Sequence, residues 1–274
     1  MKLYQRLTHL YDEDEAKAIV RLVMEERFGL SLTDIICGKV NELSREEAQS
    51  LEEIMLRLEK GEPVQYILGD SYFYGHVFHV EPGILIPRPE TEELCQWILE
   101  DVPADSTADI VDMGTGSGCI AISVALDHPK ALVTAWDISA TALKVANGNA
   151  QQLQAKVDVC EQDILHAPAD NERWDVIVSN PPYIADKEKA DMARNVLDYE
   201  PHLALFVPDD DALRFYRAIA EYAVHALRSG GLLYFEINPL YAEAMDDMLR
   251  RLNFKDITVK EDLYGKKRMM RCRK

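Results

Sequence analysis

Basic residues are scarce in this chain of 274 residues: 30 lysines and arginines stand against 48 aspartates and glutamates, for a formal net charge of −18. Such an excess repels long polyanions and disfavours extended nonspecific binding to DNA or RNA, although it leaves room for a local basic patch. Cysteines are few as well. Cys37, Cys95, Cys119, Cys160 and Cys272 are odd in number and scattered, with no CxxC pair and no histidine at ligand spacing. Neither a disulfide framework nor a zinc site is indicated, and a reducing cytoplasm is the expected setting. No apolar run approaches membrane-spanning length, and the N-terminus acquires acidic residues where a signal peptide needs a continuous apolar segment, so a soluble protein is expected. Repeats and low-complexity tracts are missing. What remains is 47% hydrophobic, enough for a real core, in a length that suits two unequal domains.

From Met1 to about Gly69 the spacing predicts helices and almost no strands. "EAKAIVRLVMEERFG" repeats apolar residues at three-and-four spacing and stops at Gly29, and "SLTDIICG" follows. "SREEAQSLEEIMLRLEKGEP" opens with Ser44 and Glu47 at capping-box spacing. A small helical bundle domain is expected over 1–70, its charged faces being solvated surface or, in the functional alternative, part of a substrate clamp. "YFYGHVFHVEPGILIPRPETEE" then alternates aromatic and aliphatic residues around Gly75 and Gly83, which predicts a hairpin linker over 71–90. Thr91 is expected to cap a helix running through "EELCQWILEDV".

Over 91–274 the strand patterns "ADIVDM", "LVTAWD", "VDVCE", "WDVIVS" and "GLLYFEI" mostly alternate with helical ones, the signature of an α/β domain with a parallel sheet. "NFKDITVKEDLYGKKRMMRCR" predicts an antiparallel pair turning near Gly265, with the basic group at its end read as a charged edge strand. In such a sheet the ligand lies outside the carboxyl ends of the strands, so chemistry is sought there.

After the first of these strands comes "DMGTGSG", in which Gly114, Gly116 and Gly118 remove side chains from a tight turn and let a ligand approach the backbone. About twenty residues further, Asp137 ends the second strand and offers a carboxylate to both hydroxyls of a ribose. After the third, Asp163 or the backbone beside Ile164 can meet an adenine edge, with Ile164 against the ring. The pattern is GxGxG, not the GxGxxG of dinucleotide oxidoreductases, and no second mononucleotide half follows.

"SNPPYI" after the fourth strand shifts the reading from nicotinamide to S-adenosylmethionine. Two prolines alone would only end a strand. Asn180 and Tyr183 flanking Pro181 and Pro182 suggest more: Asn180 offers an acceptor and a donor, and the prolines fix neighbouring carbonyls without competing donors. A planar NH2 group suits this loop, held in line with an electrophilic methyl by acceptors on both N–H bonds, while Tyr183 stacks on its flat face. Neither a strong general base nor a metal is expected. The histidines, His166 and His202 among them, form no constellation, and Glu236 reads as an ordinary buried, hydrogen-bonded carboxylate.

These features, with "GEPVQYILG" at 61–69, "ILIPRPETEEL" at 84–94, "DMGTGSGCIAI" at 112–122 and Glu200-Pro201 before "LALF", resemble the protein-(glutamine-N5) methyltransferases that modify the glutamine of the Gly-Gly-Gln loop in class 1 peptide chain release factors. The resemblance spans nearly the whole chain. It implies a helical substrate-binding domain and a hairpin linker ahead of a seven-stranded, Rossmann-like class I methyltransferase domain whose mostly parallel sheet ends in an antiparallel hairpin. It also implies a cofactor loop at Gly114, Thr115, Gly116, Ser117 and Gly118, a ribose-binding acid at Asp137, and an amide-holding motif at Asn180, Pro181, Pro182 and Tyr183. Ile164 stands where some members carry an aromatic residue, Leu85 is expected near the adenine, and Arg88 is expected either to be a linker residue paired with Glu90 or Glu92 or to have a role left unassigned. The substrate implied is a class 1 release factor; the same pocket also suits a ribosomal-protein glutamine. An adenine-N6 nucleic-acid methyltransferase faces the same chemical problem but calls for a basic face, and no stable nucleic-acid binding is expected here. A noncatalytic cofactor-binding module would not need the intact Asn180–Tyr183 loop.

Overall fold

The computed structural model describes residues 3–274, so Met1 and Lys2 of the expected helical domain lie outside the described residues. The chain divides into two units, the first reaching to Asp70 and also taking in Ala193–Tyr199. Its helices are α1 (Glu13–Phe28), α2 (Leu32–Ile36), α3 (Arg45–Leu58) and α4 (Val64–Leu68). The Asp12 side chain accepts from the amides of Asp14 and Glu15 to start α1, and Gly29, at φ 63°, ends it in the left-handed conformation. Ser44 and Glu47 form the expected capping box at the start of α3. Val20, Val23 and Met24 of α1 share one core with Leu51, Met55 and Leu58 of α3. Arg6 reaches Glu52 and Glu59, seven residues apart on one face of the chain from α3 onward, at 2.6 Å each. The later helix Arg194–Tyr199 belongs to this unit, and the Tyr199 hydroxyl donates to the Lys60 carbonyl at 3.1 Å.

The second unit, Ser71–Met192 with Glu200–Lys274, opens on a hairpin of β1 (Asp70–Phe73) and β2 (His76–His79). Tyr74 and Gly75 both have positive φ, as the tight turn requires, and Phe73 meets Phe78 edge to face. Then follow α5 (Pro89–Asp101), β3 (Asp109–Met113), α6 (Cys119–Asp127), β4 (Leu132–Asp137), α7 (Ala140–Gln152), β5 (Val157–Glu161), β6 (Trp174–Ser179) and β7 (Ile184–Ala185). The helix Arg194–Tyr199 is α8, after which come α9 (His202–Leu205), β8 (Phe206–Val207), α10 (Arg214–Ala226), β9 (Leu227–Glu236), α11 (Ala242–Arg251), β10 (Lys255–Glu261) and β11 (Lys267–Arg273).

Seven strands make one sheet in the order β10-β11-β9-β6-β3-β4-β5, with β3, β4, β5, β6 and β9 parallel and the last two antiparallel. The period-two alternation of the strands explains why both faces are buried. Ile110, Val176 and Tyr234 point into a core shared with α5 and α6, while their neighbours Val111, Ile177 and Phe235 point into another with α10 and α11. Apolar almost all round, α6 is buried over Cys119–Ala125.

Two expectations are corrected. Thr91 does not cap α5: Pro89, with its preset φ, occupies the first turn, Arg88 is the cap residue in extended backbone, and Thr91 lies inside the helix. The basic tail is not an edge strand. β11 lies between β10 and β9, buries Met269, Met270 and Cys272, and pairs Arg268, Arg271 and Arg273 with Asp262, Asp101 and Asp256. The exposed edge is β10, whose Lys255, Lys260 and Glu261 supply the charge that discourages pairing with another chain.

Candidate active site

Five parallel strands end on one side of the sheet, and the turns leaving four of them line a single cavity. Its walls include Gly114–Ser117 after β3, Asp137 and Ile138 after β4, Asp163 and Ile164 after β5, and Asn180 and Pro182 after β6. Leu85, Ile86 and Arg88 close it from the linker and Pro201 and Leu203 from the segment opposite, while Pro181 and Tyr183 are not among the lining residues. The sequence-selected residues are thus brought together around one space, apart from those two and Gly118, which packs behind the turn.

The glycine turn is built by backbone. The amides of Gly114 and Thr115 both donate to the Trp136 carbonyl, at 2.8 and 2.9 Å, tying the end of β3 to β4. Gly118, at φ 83°, precedes α6, and a Cβ there would lie 2.8 Å from Ile122 Cδ1 and 3.2 Å from Ala146 Cβ, so helix and turn pack too closely for any side chain. Asp137 is locked to the same turn: Oδ2 accepts from the Gly116 amide and Oδ1 from the Ser139 amide, both at 2.9 Å. Buried beneath the turn, Asp112 accepts from the Thr115 hydroxyl at 2.6 Å, and burial pushes its carboxyl up to about 7 despite that bond. Asp112 Oδ1 and Ser117 Oγ are buried without a hydrogen-bond partner. Cys119 also lines the cavity, and burial pushes its thiol up to about 12, which favours the neutral thiol.

Asp163 lines the cavity while its side chain also serves the loop. Oδ1 caps the following 3-10 turn by accepting from the Leu165 amide at 2.8 Å, and Oδ2 lies 2.6 Å from His166 Nδ1, a pairing that holds the carboxyl below its ordinary range. Arg88 pairs with neither Glu90 nor Glu92. Its guanidinium lies 2.6 Å from Glu200, a carboxylate only 4% exposed whose other oxygen accepts from the Ile86 amide at 3.2 Å. One buried acid therefore joins the two segments that face each other across the cavity mouth.

At the end of β6, Ser179 donates to the Met113 carbonyl and fixes the strand end against β3. The Asn180 Nδ2 group lies 3.4 Å from Thr91 Oγ1, the Thr91 hydroxyl donates to Glu236 Oε2 at 2.6 Å, and the Tyr183 hydroxyl donates to Glu236 Oε1 at 3.0 Å. Burial pushes the Glu236 carboxyl up, and the Thr91 and Tyr183 hydroxyls and the Arg268 charge oppose it. The Asn238 side chain donates to the Tyr183 carbonyl at 3.2 Å.

Sequence reasoning missed Asn149, fully buried on α7. It accepts from the His79 amide and donates to the carbonyls of His79 and Ser117, tying the hairpin to the glycine turn. Its one visible signal was a polar residue on the apolar stripe of a helix. Glu200 was visible only as part of a motif, and Thr91 only as a helix cap.

Among the described residues no helix is long and apolar enough to cross a membrane, and no group of three or more His, Cys, Asp or Glu side chains is placed to hold a metal ion. Residues 90–201 match the model of the methyltransferase small domain, and residues 2–69 that of the PrmC N-terminal domain. Among solved structures, a methyltransferase from Pyrococcus furiosus aligns with a TM-score of 0.53 at 14% identity, over 84% of this chain and 98% of its own. The T. thermophilus 16S rRNA N2 G1207 methyltransferase aligns with a TM-score of 0.56 at 18% identity, over 75% of this chain and 49% of its own. Both likenesses establish the class I methyltransferase fold. Among curated proteins, the release factor glutamine methyltransferase of Bacteroides thetaiotaomicron is 46% identical over 97% of this chain and 95% of its own. The enzyme of the same name from Flavobacterium psychrophilum is 42% identical over 97% and 95%, and that from Streptococcus pneumoniae 38% over 98% and 98%. With this agreement along both units, the chain belongs to the family of release factor glutamine methyltransferases.

Proposed function

We propose that the protein methylates the side-chain amide nitrogen, N5, of the glutamine in the Gly-Gly-Gln motif of class 1 peptide chain release factors, using S-adenosylmethionine without a metal and releasing S-adenosylhomocysteine. The observation that carries this reading is the Asn180 carboxamide at a strand end, lining the same cavity as the glycine turn and Asp137. S-adenosylmethionine supplies an electrophilic methyl on a sulfonium that leaves as a neutral thioether. The residues present fit that group: Ser117 Oγ, on the cavity wall, is buried without a hydrogen-bond partner, and the glycine turn lets a ligand approach its backbone, which suits an amino-acid moiety. Gly114, Thr115, Gly116, Ser117 and Gly118 would hold that moiety and Asp137 the ribose. Ile164 and Leu85 would flank the adenine. Asp163, whose carboxylate oxygens keep further acceptor sites, or the backbone beside Ile164 would meet the adenine edge.

An amide nitrogen is a weak nucleophile because its lone pair is delocalised. Orientation and hydrogen bonding of both N–H groups must therefore supply what basicity lacks, with Asn180 Oδ1 as one acceptor and a carbonyl of the Pro181-Pro182 segment as the other. Tyr183 lies off the cavity wall, and its hydroxyl, anchored on Glu236, would hold the loop that faces the guest. Arg268, Arg271 and Arg273 of the basic tail are paired with Asp262, Asp101 and Asp256, and the net charge is −18, which favours a protein substrate over nucleic acid. The helical unit would hold the protein substrate, in the cytoplasm where translation terminates. Mass spectrometry of a purified release factor after incubation with enzyme and cofactor tests the reading: one methyl on the loop glutamine is expected. Methylation of a ribosomal protein alone would overturn it.

A further inference from the structure

We propose that Glu236 and Thr91 form a polarity relay that sets which end of the Asn180 carboxamide faces the substrate. It rests on the reading of Asn180 as the residue that holds the target amide, and it adds two positioning residues that do not themselves accept from that amide.

A carboxamide is nearly symmetric in shape but not in chemistry: Oδ1 toward the substrate accepts an N–H, whereas Nδ2 in that place repels one. Something must choose between these two orientations, and the prolines after Asn180 have no amide hydrogen with which to do so. Glu236, when ionised, is acceptor-only, and both its oxygens face hydroxyls: Thr91 at 2.6 Å and Tyr183 at 3.0 Å. A threonine hydroxyl has one proton. Once that proton points to Glu236, Thr91 Oγ1 can only accept, and the neighbour it accepts from is Asn180 Nδ2 at 3.4 Å. The Asn180 Oδ1 atom is thereby turned away from Thr91, and among the described residues it has no protein partner. Thr91 and Glu236 are each 2% exposed, so water does not compete for these positions. If Glu236 offered a hydrogen to Thr91 instead, the chain of donors would reverse and the asparagine would present its NH2 group to the substrate.

Steady-state kinetics with S-adenosylmethionine and a purified release factor test the relay, with cofactor affinity and thermal stability measured on every variant. Thr91→Val removes the hydroxyl at nearly constant volume and is expected to lower kcat by about 10- to 100-fold, with cofactor affinity and substrate KM within about threefold of wild type. Thr91→Ser keeps the hydroxyl and should recover kcat to within about threefold. Glu236→Gln leaves one acceptor for two hydroxyls, that of Tyr183 among them, and should lose at least as much as Thr91→Val, and the double variant should be no worse than Glu236→Gln alone, because Thr91 acts through Glu236. A role in packing alone would give the opposite order, sparing valine, which keeps the volume, and penalising serine, which loses the methyl group. The relay is overturned if Thr91→Val keeps kcat within about twofold, if serine fails with valine, or if the two losses multiply. Should Thr91→Val not fold, Thr91→Ala carries the same comparison with serine. A wild-type enzyme that binds cofactor but transfers no methyl to the release factor would overturn the functional reading itself, and the relay with it; that outcome is seen before any variant is made.

Discussion

The two halves of the cavity are held by different kinds of structure. On the side of β3 and β4, backbone does the holding: the Gly114 and Thr115 amides bond to the Trp136 carbonyl, and the Asp137 carboxylate is pinned by two main-chain amides. On the side of β6 and β9, side chains hold side chains: Asn180 rests on Thr91, and Thr91 and Tyr183 rest on Glu236. A backbone cradle recognises a common cofactor and leaves few side chains to vary. A side-chain relay can be specific for one functional group, but each link in it is a single point of failure.

Substitutions can break or sharpen that contrast. The largest effect is expected from Asn180→Ala, which removes the acceptor for the target N–H and should lower kcat by about 100- to 1,000-fold while cofactor affinity, measured by calorimetry, changes little. Asp137→Ala should do the converse, weakening cofactor binding by about 10- to 100-fold with kcat at saturating cofactor largely retained, since a charge-assisted hydrogen bond contributes about 1.5–3 kcal/mol. Glu200→Gln loosens the join between its own segment and the linker that carries the Ile86 amide and Arg88, and the cofactor dissociation rate should rise by about 3- to 10-fold in stopped-flow measurements.

The smallest expected effect concerns pH. Asp112 titrates near 7 in the folded chain, far above its ordinary range, because burial disfavours its charge. The folded state therefore binds a proton that the unfolded state has already released between about pH 4 and 7, so this group makes stability fall as pH rises through that window and not as it drops. Asp112→Asn should raise the melting temperature by a few degrees at pH 8 and by much less at pH 4 in thermal scans, because about 1 kcal/mol corresponds to about 2–4 °C in a chain of this class of size. Equal shifts at both pH values would mean that the carboxylate charge is not the cause.

The same contrast explains what was legible in the sequence. The glycine turn and Asp137 could be read because each is local: a left-handed turn needs glycine, and a strand end carries its acid with it. The seven strands were legible for a similar reason, each being an apolar run bounded by polar or glycine residues. Arg88 could not be paired correctly because its partner lies 112 residues away, while its helix starts at Pro89 and leaves Arg88 outside in extended backbone. Thr91 looked like a cap because threonine near a helix start usually is one, and its true partner, Glu236, lies 145 residues on. The tail looked like an edge because it is basic. Only the register of β11 between β9 and β10, with Met270 opposite Phe235, shows it to be interior. Local conformational needs are written in adjacent residues, whereas side-chain partnerships between strand ends depend on topology.

The most direct test of the account is a crystal structure of the protein with S-adenosylhomocysteine and a glutamine-containing loop peptide from the substrate. The target amide nitrogen should lie about 2.7–3.2 Å from the Asn180 side chain, on the side facing away from Thr91, and close to the cofactor sulfur. A target amide bound elsewhere, or an Asn180 side chain turned with its oxygen to Thr91, would contradict it.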